Sequence, residues 1–496
     1  MPLFAGLDIG TTGVKSTVFD HEGKIAAYAY EEYNLESSGE GIFELNPHVL
    51  LRAAKNVLRQ SLAKAPQQAE AVCVTSFGET MFLTDAQGKP LCNGMIYMDK
   101  RGAIEAEELQ NKFGFEVIAE TTGVKPHAMY SIPKLLWLTK NEPETGRRAQ
   151  RAFFVADFIT FHLGADHITD YSLAARSMAL NIRQKCWWGE MLEASGLKES
   201  LFPALAETGT VTGKVSAAAA IETGLKQGIS ILIGGHDQIA NALGAGVLQK
   251  GSAANGLGTV DCVTPAFELP QSVVPLAQNN YCAVPYVSQN LYVTYAFNIT
   301  GGAVLKWYRN TFAKDLSTDP APFLSAYAAL EGGMPKAPTR LLCLPHFAGS
   351  GTPEMNTHSN GAVMGLTLNT TRSELFKGLL EGIAYEAMYN IESLRSCGVA
   401  AEELLTVGGG ARSSEWLQIR ADVFGKPVVQ MHVEEAGTLG CAIMAAKAGG
   451  IYASFDEGAK STVKSARVFE PDKNNHEVYK EQYERYKRLY VAEKNI

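Results

Sequence analysis

Ile229-Ser-Ile-Leu-Ile-Gly-Gly-His-Asp-Gln-Ile-Ala-Asn-Ala-Leu-Gly-Ala-Gly246 passes from an apolar run into an Ala-rich segment. The run beginning at Ile229 predicts a short buried strand. Gly234 and Gly235 are expected to break it, and His236-Asp237-Gln238 to open a helix. An acid at a strand-to-helix turn stands where a sheet delivers side chains to a cleft, so Asp237 is a candidate proton acceptor. Asp is also a good helix cap, because its carboxylate satisfies orphan backbone donors. The stretch leaves both readings open, and the two roles can coexist.

A Gly/Thr turn lies on either side of this stretch. Upstream, a strand from Leu3 to Leu7 leads into Asp8-Ile-Gly-Thr-Thr-Gly13, followed by a strand from Val14 to Phe19. Asp20-His-Glu-Gly23 then turns the chain into a third strand, Ile25 to Tyr30, which makes an antiparallel meander. The free N–H groups of such a turn, with the hydroxyls of Thr11 and Thr12, suit a phosphate. Asp8 would repel one unless a divalent cation sat between them. A plain hairpin turn uses the same residue types. No Gly-Lys-Ser/Thr follows, so this is not a Walker A loop. Downstream, Ser252 to Asn255 enters Gly256-Leu-Gly258-Thr259, and a strand runs on from Val260 to Thr264.

The remaining chain alternates helices and strands. Asn46-Pro47 opens a helix, with Asn as cap and Pro in the first turn. Ala71 to Ser76 is a strand leading to Glu79, and Met95-Ile-Tyr-Met-Asp99-Lys-Arg101 ends in another acid. Each carboxylate stands at the end of an apolar segment, where binding residues gather, although a solvated loop acid is the default reading. Phe153 to Leu163 reads as a helix, Asp170 to Arg176 as a polar loop, and Asn279 to Pro285 and Asn290 to Ala296 as strands. Residues 313–338 look like a variable excursion, and Ser373 to Cys397 like a long helix. Tyr479, Tyr483, Tyr486 and Tyr490 form one helical stripe in the tail, read as packed on the body. The halves echo each other without a residue-level repeat, and Val247 to Gly251 reads as a hinge.

Bulk properties narrow the classes. A chain of 496 residues holds two or three domains. Apolar residues make up 46% and charged residues 19%, ordinary values for a globular protein. A net charge of −8 argues against a nucleic-acid or anionic-membrane partner. Eight scattered cysteines form no CxxC pair and no zinc spacing, so free thiols in a cytoplasmic protein are expected. The first residues do not read as a signal peptide. No apolar run reaches membrane-spanning length.

Taken together these pieces resemble the FGGY carbohydrate kinases. Leu7-Asp-Ile-Gly-Thr-Thr-Gly13 is similar to the family's first phosphate motif, and Gly256-Leu-Gly-Thr259 to the second. Met129 to Asn141, with Lys134 and Trp137, resembles the N-terminal signature, and Gly361 to Leu366 with Ser373 onward the second signature. Gly235-His-Asp237 resembles the catalytic motif and Gly408-Gly-Gly-Ala411 the adenosine motif. Six motifs in family order cover nearly the whole chain.

The resemblance implies an α/β fold with two actin-like ATPase (ribonuclease H-like) domains around a central cleft. Residues 1–248 would bind sugar and carry the catalytic Asp237, and residues 249–496 would bind nucleotide. It implies transfer of phosphate from ATP to a sugar or polyol hydroxyl, with Mg²⁺ held through water by Asp8. Thr11, Thr12, Gly258 and Thr259 would cradle the phosphates. Gly302 and Lys306, with Gly409, Gly410, Ala411 and Ser414, would hold adenosine. Glu79, Asp99 and Asp237 would accept hydrogen bonds from a neutral sugar.

The chain departs from the family in its sugar site. Glycerol-kinase-like members carry Arg-Glu where this chain has Gly78-Glu79, and xylulokinase-like members carry His at position 79. Tyr97 replaces the Trp of the family's Trp-x-Asp-x-Arg pattern. Phe77-Gly78 resembles fuculose-kinase-like members and favours a ketose; with the three carboxylates, the expectation is a neutral ketose such as a xylulose-like sugar. One alternative is a gluconate-type acid sugar kinase, which requires Arg101 or Arg176 to turn inward. Others are a non-sugar actin-like ATPase and a descendant that binds sugar without turnover. A homodimer fits the family resemblance.

Overall fold

The computed structural model describes residues 1–288, 290–316 and 322–493. Its first sheet is built on β1 (Leu3–Ile9), β2 (Gly13–Asp20) and β3 (Ile25–Glu32), an antiparallel meander. To the free edge of β1 are added β4 (Ala69–Ser76) and then β5 (Ser230–His236), both parallel to their neighbours. Val211–Lys214 closes the far edge in antiparallel fashion. Every residue of β1 is buried, as a strand covered on both faces requires.

The second sheet repeats this plan. Its meander consists of β6 (Ser252–Leu257), β7 (Asp261–Glu268) and β8 (Ala296–Asn298), with Leu291–Val293 also pairing β7. To the free edge of β6 are added β9 (Glu403–Val407) and β10 (Val428–Met431), again parallel. Ser465–Phe469 closes that edge in antiparallel fashion. The halves therefore share a topology that no residue-level repeat betrays. The fold is the expected pair of actin-like, ribonuclease H-like domains.

Ten helices position the site. They are α1 (Pro47–Lys64), α2 (Ser131–Asn141), α3 (Val155–Leu163), α4 (Tyr171–Ala175) and α5 (Asp237–Ala245). The second half contributes α6 (Gly302–Phe312), α7 (Arg372–Ser396), α8 (Ser414–Phe424), α9 (Ala436–Ala448) and α10 (Lys473–Glu493). Asn46 caps α1 as read, its side chain accepting the His48 N–H at 3.0 Å. The four tail tyrosines are buried on α10. Helix α9 lies between the halves, against α5 and against β1. A β-carbon on Gly6 of β1 would come within 2.4 Å of the Thr438 carbonyl on α9, so the close approach depends on glycine there.

Several readings of the sequence are corrected. Gly234 and Gly235 do not end their strand, because β5 runs on to His236 with a register shift between Ile233 and Gly235. Gly235 supplies φ +74°, which is what such a bulge requires. Phe153 and Phe154 belong to a strand, Arg151–Phe154, paired with Met81–Thr84. A short apolar run has no periodicity to separate the two elements, and α3 starts only at Val155. Asp170 to Arg176 is not a polar loop but the buried helix α4, capped by Asp170. Of Asn279 to Pro285 only Val284–Pro285 is strand, and of Asn290 to Ala296 only Leu291–Val293 and the start of β8. In the 313–338 excursion, Pro322–Gly332 is helical, and residues 317–321 lie outside the described residues.

Candidate active site

Asp237 opens α5, yet the cap of that helix is its neighbour. His236 Nδ1 accepts the Gln238 N–H at 3.2 Å. The same ring nitrogen lies 3.0 Å from Asp237 Oδ1. Asp237 Oδ1 is left buried without a hydrogen-bond partner. Capping and proton acceptance, open alternatives in the sequence, are thus divided between two residues. Helix α4 holds the strand end that carries them. Asp170 Oδ2 accepts the Ser172 hydroxyl at 2.6 Å, and Ser172 Oγ accepts the His236 N–H at 2.9 Å.

Asp237 faces a cleft of about 460 Å³ that both halves line. Asp8, Gly10, Thr12 and Lys15 come from the first hairpin, and Gly256, Gly258 and Thr259 from the second. Gly408, Glu434, Glu435 and Gly437 complete the far side. Lys15 Nζ bridges Asp8 Oδ2 at 3.2 Å and Glu435 Oε2 at 3.0 Å. Burial raises the Asp8 carboxyl above its ordinary range; Lys15 offsets part of this, and Asp237 and Glu435 add to it. A β-carbon on Gly437 would sit 2.9 Å from Asp8 Oδ2, so bare backbone keeps that carboxylate open to the cleft. Carboxylates without a complete protein cage suit Mg²⁺, which takes one or two carboxylates and fills its other positions with phosphate and water. The donor set fits that ion. Among the described residues no group of three or more His, Cys, Asp or Glu forms a ready-made metal cluster.

The second Gly/Thr turn is joined to α6. The carbonyl oxygens of Gly258 and Thr259 accept the N–H groups of Gly302 and Gly301, both at 2.9 Å. A β-carbon on Gly302 would meet the Gly258 oxygen at 2.7 Å, so turn and helix interlock. Lys306 is exposed one turn further along α6. After β9, Gly408 adopts φ +93° and Gly409–Arg412 forms a single 3-10 turn. Gly409 faces open space, whereas a β-carbon on Gly410 would strike Trp416 at 2.4 Å. Ala411 is buried, and Ser414 begins α8, which Ser413 caps.

Glu79 and Asp99 lie outside the cleft lining. Glu79 holds a left-handed φ of +66° and is 4% exposed. Its Oε1 accepts Arg176 Nε at 2.6 Å and Nη2 at 2.5 Å. Asp99 is consumed by structure: its carboxylate accepts the Phe43 N–H at 2.9 Å and Arg101 Nη2 at 2.6 Å. Arg101 also pairs with Glu44 at 2.7 Å and packs over Trp137. Lys134 Nζ donates to the Asp99 carbonyl at 2.7 Å, and burial pushes its amine down to about 8.

The structure therefore brings Asp8, Thr12, Asp237, Gly258 and Thr259 to one cleft. Thr11 points to the neighbouring Tyr97 hydroxyl. Sequence reasoning missed Lys15 and Glu435. Lys15 was within reach, since pairing the first hairpin sets it directly opposite Asp8. Glu435 had no local signal, because only the packing of α9 brings it there.

A doubled ribonuclease H-like plan with an acid-lined cleft between the halves defines the actin-like ATPase class. The model of the FGGY family of carbohydrate kinases, N-terminal domain, matches residues 3–244, and its C-terminal counterpart matches residues 253–449. The chain belongs to the FGGY family of carbohydrate kinases, ATP-dependent phosphotransferases acting on sugar or polyol hydroxyls. It is 26% identical to a xylulose kinase of Bacillus subtilis, over 100% of this chain and 98% of that protein. It is 29% identical to a glycerol kinase of Borrelia hermsii, over 95% of each. A solved xylulose kinase from Lactobacillus acidophilus shares the fold, with a TM-score of 0.89, 22% identity, and coverage of 99% of this chain and 98% of that one. Among the described residues no helix is long and apolar enough to cross a membrane.

Proposed function

We propose that the chain phosphorylates a hydroxyl of a neutral polyhydroxyl sugar, a xylulose-like ketose fitting best, with Asp237 as proton acceptor. The observation that carries this reading is the Asp237 carboxylate, 27% exposed, on the wall of the cleft that both Gly/Thr turns line. A carboxylate so placed both orients the attacking hydroxyl and accepts its proton as the O–P bond forms. Phosphoryl transfer demands positioning and charge neutralisation more than covalent help.

Residues 1–248 supply the sugar side and residues 249–496 the nucleotide side. The turns at Thr11-Thr12 and Gly258-Thr259 cradle the phosphates from opposite walls. Lys15 steadies Asp8 against the like charges of Asp237 and Glu435. Asp8 would hold Mg²⁺ through water, and that ion would neutralise charge between the phosphates. Gly302, Lys306, Gly409, Gly410, Ala411 and Ser414 form the adenosine side.

The acid-sugar alternative required a free cation from Arg101 or Arg176. Arg101 is bound to Asp99 and Glu44, and Arg176 to Glu79, which favours a neutral substrate. The test is ADP release with Mg-ATP against ketoses, polyols and sugar acids. A response to a neutral sugar supports the proposal, and a response confined to acids overturns the substrate class.

A further inference from the structure

Two buried polar atoms close behind the Asp237 turn lack a hydrogen-bond partner in the protein: Arg176 Nη1 and the Tyr295 hydroxyl. Buried polar groups are nearly always satisfied, by protein, water or ligand, so two unsatisfied donors next to the Asp237 turn point to a partner that enters from outside the protein. Both belong to one stack, which ends on His236, the residue before Asp237. The Arg176 guanidinium packs over Tyr130 at 5.1 Å and over Tyr295 at 5.4 Å. Tyr295 in turn stacks on His236, with ring centroids 5.0 Å apart and planes 14° from parallel. Arg176 and Tyr295 are 5% and 8% exposed.

The guanidinium reaches this place because position 78 has no side chain. A β-carbon on Gly78 would lie 2.8 Å from Arg176 Cγ and 2.8 Å from His236 Cδ2. A cation that the chain lacks beside Glu79 in sequence is thus supplied by Arg176, the residue that ends α4. Glu79 engages Nε and Nη2 and balances the guanidinium charge, leaving the two N–H bonds of Nη1. With Asp237 the group carries a net negative charge.

We propose that the Glu79–Arg176 pair is the charge filter of the sugar site. Arg176 Nη1 donates to a carbonyl or hydroxyl oxygen of a neutral sugar, and Glu79 denies that guanidinium to a carboxylate. Arg176 is a binding residue, and Glu79 acts through it as a positioning residue. The inference rests on the kinase reading above and specifies the substrate class that its site accepts.

The test compares wild type, Glu79→Gln and Arg176→Met for ADP release with neutral ketoses, with polyols and with gluconate, using ATP affinity as the control for folding. The wild type is expected to favour a neutral sugar over gluconate by about a hundredfold, the order set by one like-charge contact in a part-buried site. Glu79→Gln keeps the shape and frees the cation, so the gluconate-to-neutral ratio of kcat/KM rises about tenfold or more. Arg176→Met lowers kcat/KM for the neutral sugar about tenfold, the worth of one charge-assisted hydrogen bond, with no gain for gluconate. A structural pair alone would lower both substrates together. An unchanged ratio in a Glu79→Gln variant that binds ATP overturns the filter. A wild type that prefers gluconate overturns it without any variant, and leaves the kinase reading standing. A wild type that binds ATP and turns over no sugar overturns the kinase reading itself. If Glu79→Gln does not fold, the wild-type ratio and Arg176→Met decide.

Discussion

A β-carbon on Gly244 would lie 1.9 Å from the carbonyl oxygen of Ala436, so α5 and α9 touch backbone to backbone. Gly440 makes the reciprocal contact, its β-carbon position lying 2.0 Å from the Ala240 oxygen. This crossing sets the distance between the two sides of the cleft: α5 begins with Asp237, and α9 carries Gly437 against Asp8.

Gly440→Ala is therefore expected to push the helices apart. Overpacking of this kind costs about 1–3 kcal/mol, and here it also shifts Asp237 relative to Asp8. Urea unfolding should show the loss, and kcat should fall further than ATP affinity does. An unchanged midpoint and rate would mean that the crossing relaxes freely.

Arg420 and Asp261 form a fully buried pair at 2.9 Å, just beyond the second Gly/Thr turn. Asn255 also donates to Asp261, at 3.0 Å. Arg420→Met leaves the Asp261 carboxylate buried with no cation, a change that costs about 3–5 kcal/mol. Adding Asp261→Asn should restore much of this loss. Chemical denaturation of the single and double variants checks both statements.

Gly409 and Gly410 offer a paired test of the nucleotide side. Gly409→Ala meets nothing in the protein and should leave stability within about 0.5 kcal/mol, while raising the ATP KM if adenosine lies there. Gly410→Ala meets Trp416 and Leu257 and should destabilise by about 1–3 kcal/mol. Equal ATP affinity in Gly409→Ala and wild type would move adenosine off this turn.

Asp157 in α3 gives a pH signature. Burial raises its carboxyl well above the ordinary 3.8, Asp170 adds to the effect, and backbone N–H groups offset only part. The folded protein then keeps a proton that the unfolded chain releases. Its contribution is fully present below 3.8 and is lost as pH rises through the window above that value. Asp157→Asn removes this slope, so its thermal midpoint should gain on the wild type from pH 4 towards pH 8. Parallel curves would show that Asp157 ionises in place.

The parts of this molecule that were legible in the sequence are those fixed by local chemistry. Asn46-Pro47 announces α1, and Gly/Thr turns between apolar runs announce both meanders. What was hidden depends on contacts between distant positions. Arg176 stands 97 residues from Glu79, and no local pattern says that its guanidinium fills the space left by Gly78. The Asp170–Arg176 segment reads as polar because Asp170, Ser172 and Arg176 are polar. They are buried because Asp170 and Ser172 hold the end of β5 and Arg176 holds Glu79. Asp99 stands at the end of an apolar segment as a binding residue would, but Arg101 two residues on takes its carboxylate. The division of capping and chemistry between His236 and Asp237 rests on one ring orientation, which composition does not encode.

The most direct test of the account is the single-turnover rate of Asp237→Asn with Mg-ATP and the best neutral sugar, alongside its ATP affinity. The amide keeps the size of the carboxylate and cannot take the proton. The account predicts a fall of about 10²–10⁴-fold in phosphoryl transfer, the range for a lost general base, with ATP affinity within about threefold of wild type. A variant that binds ATP normally and transfers phosphate at a rate close to that of wild type would contradict it.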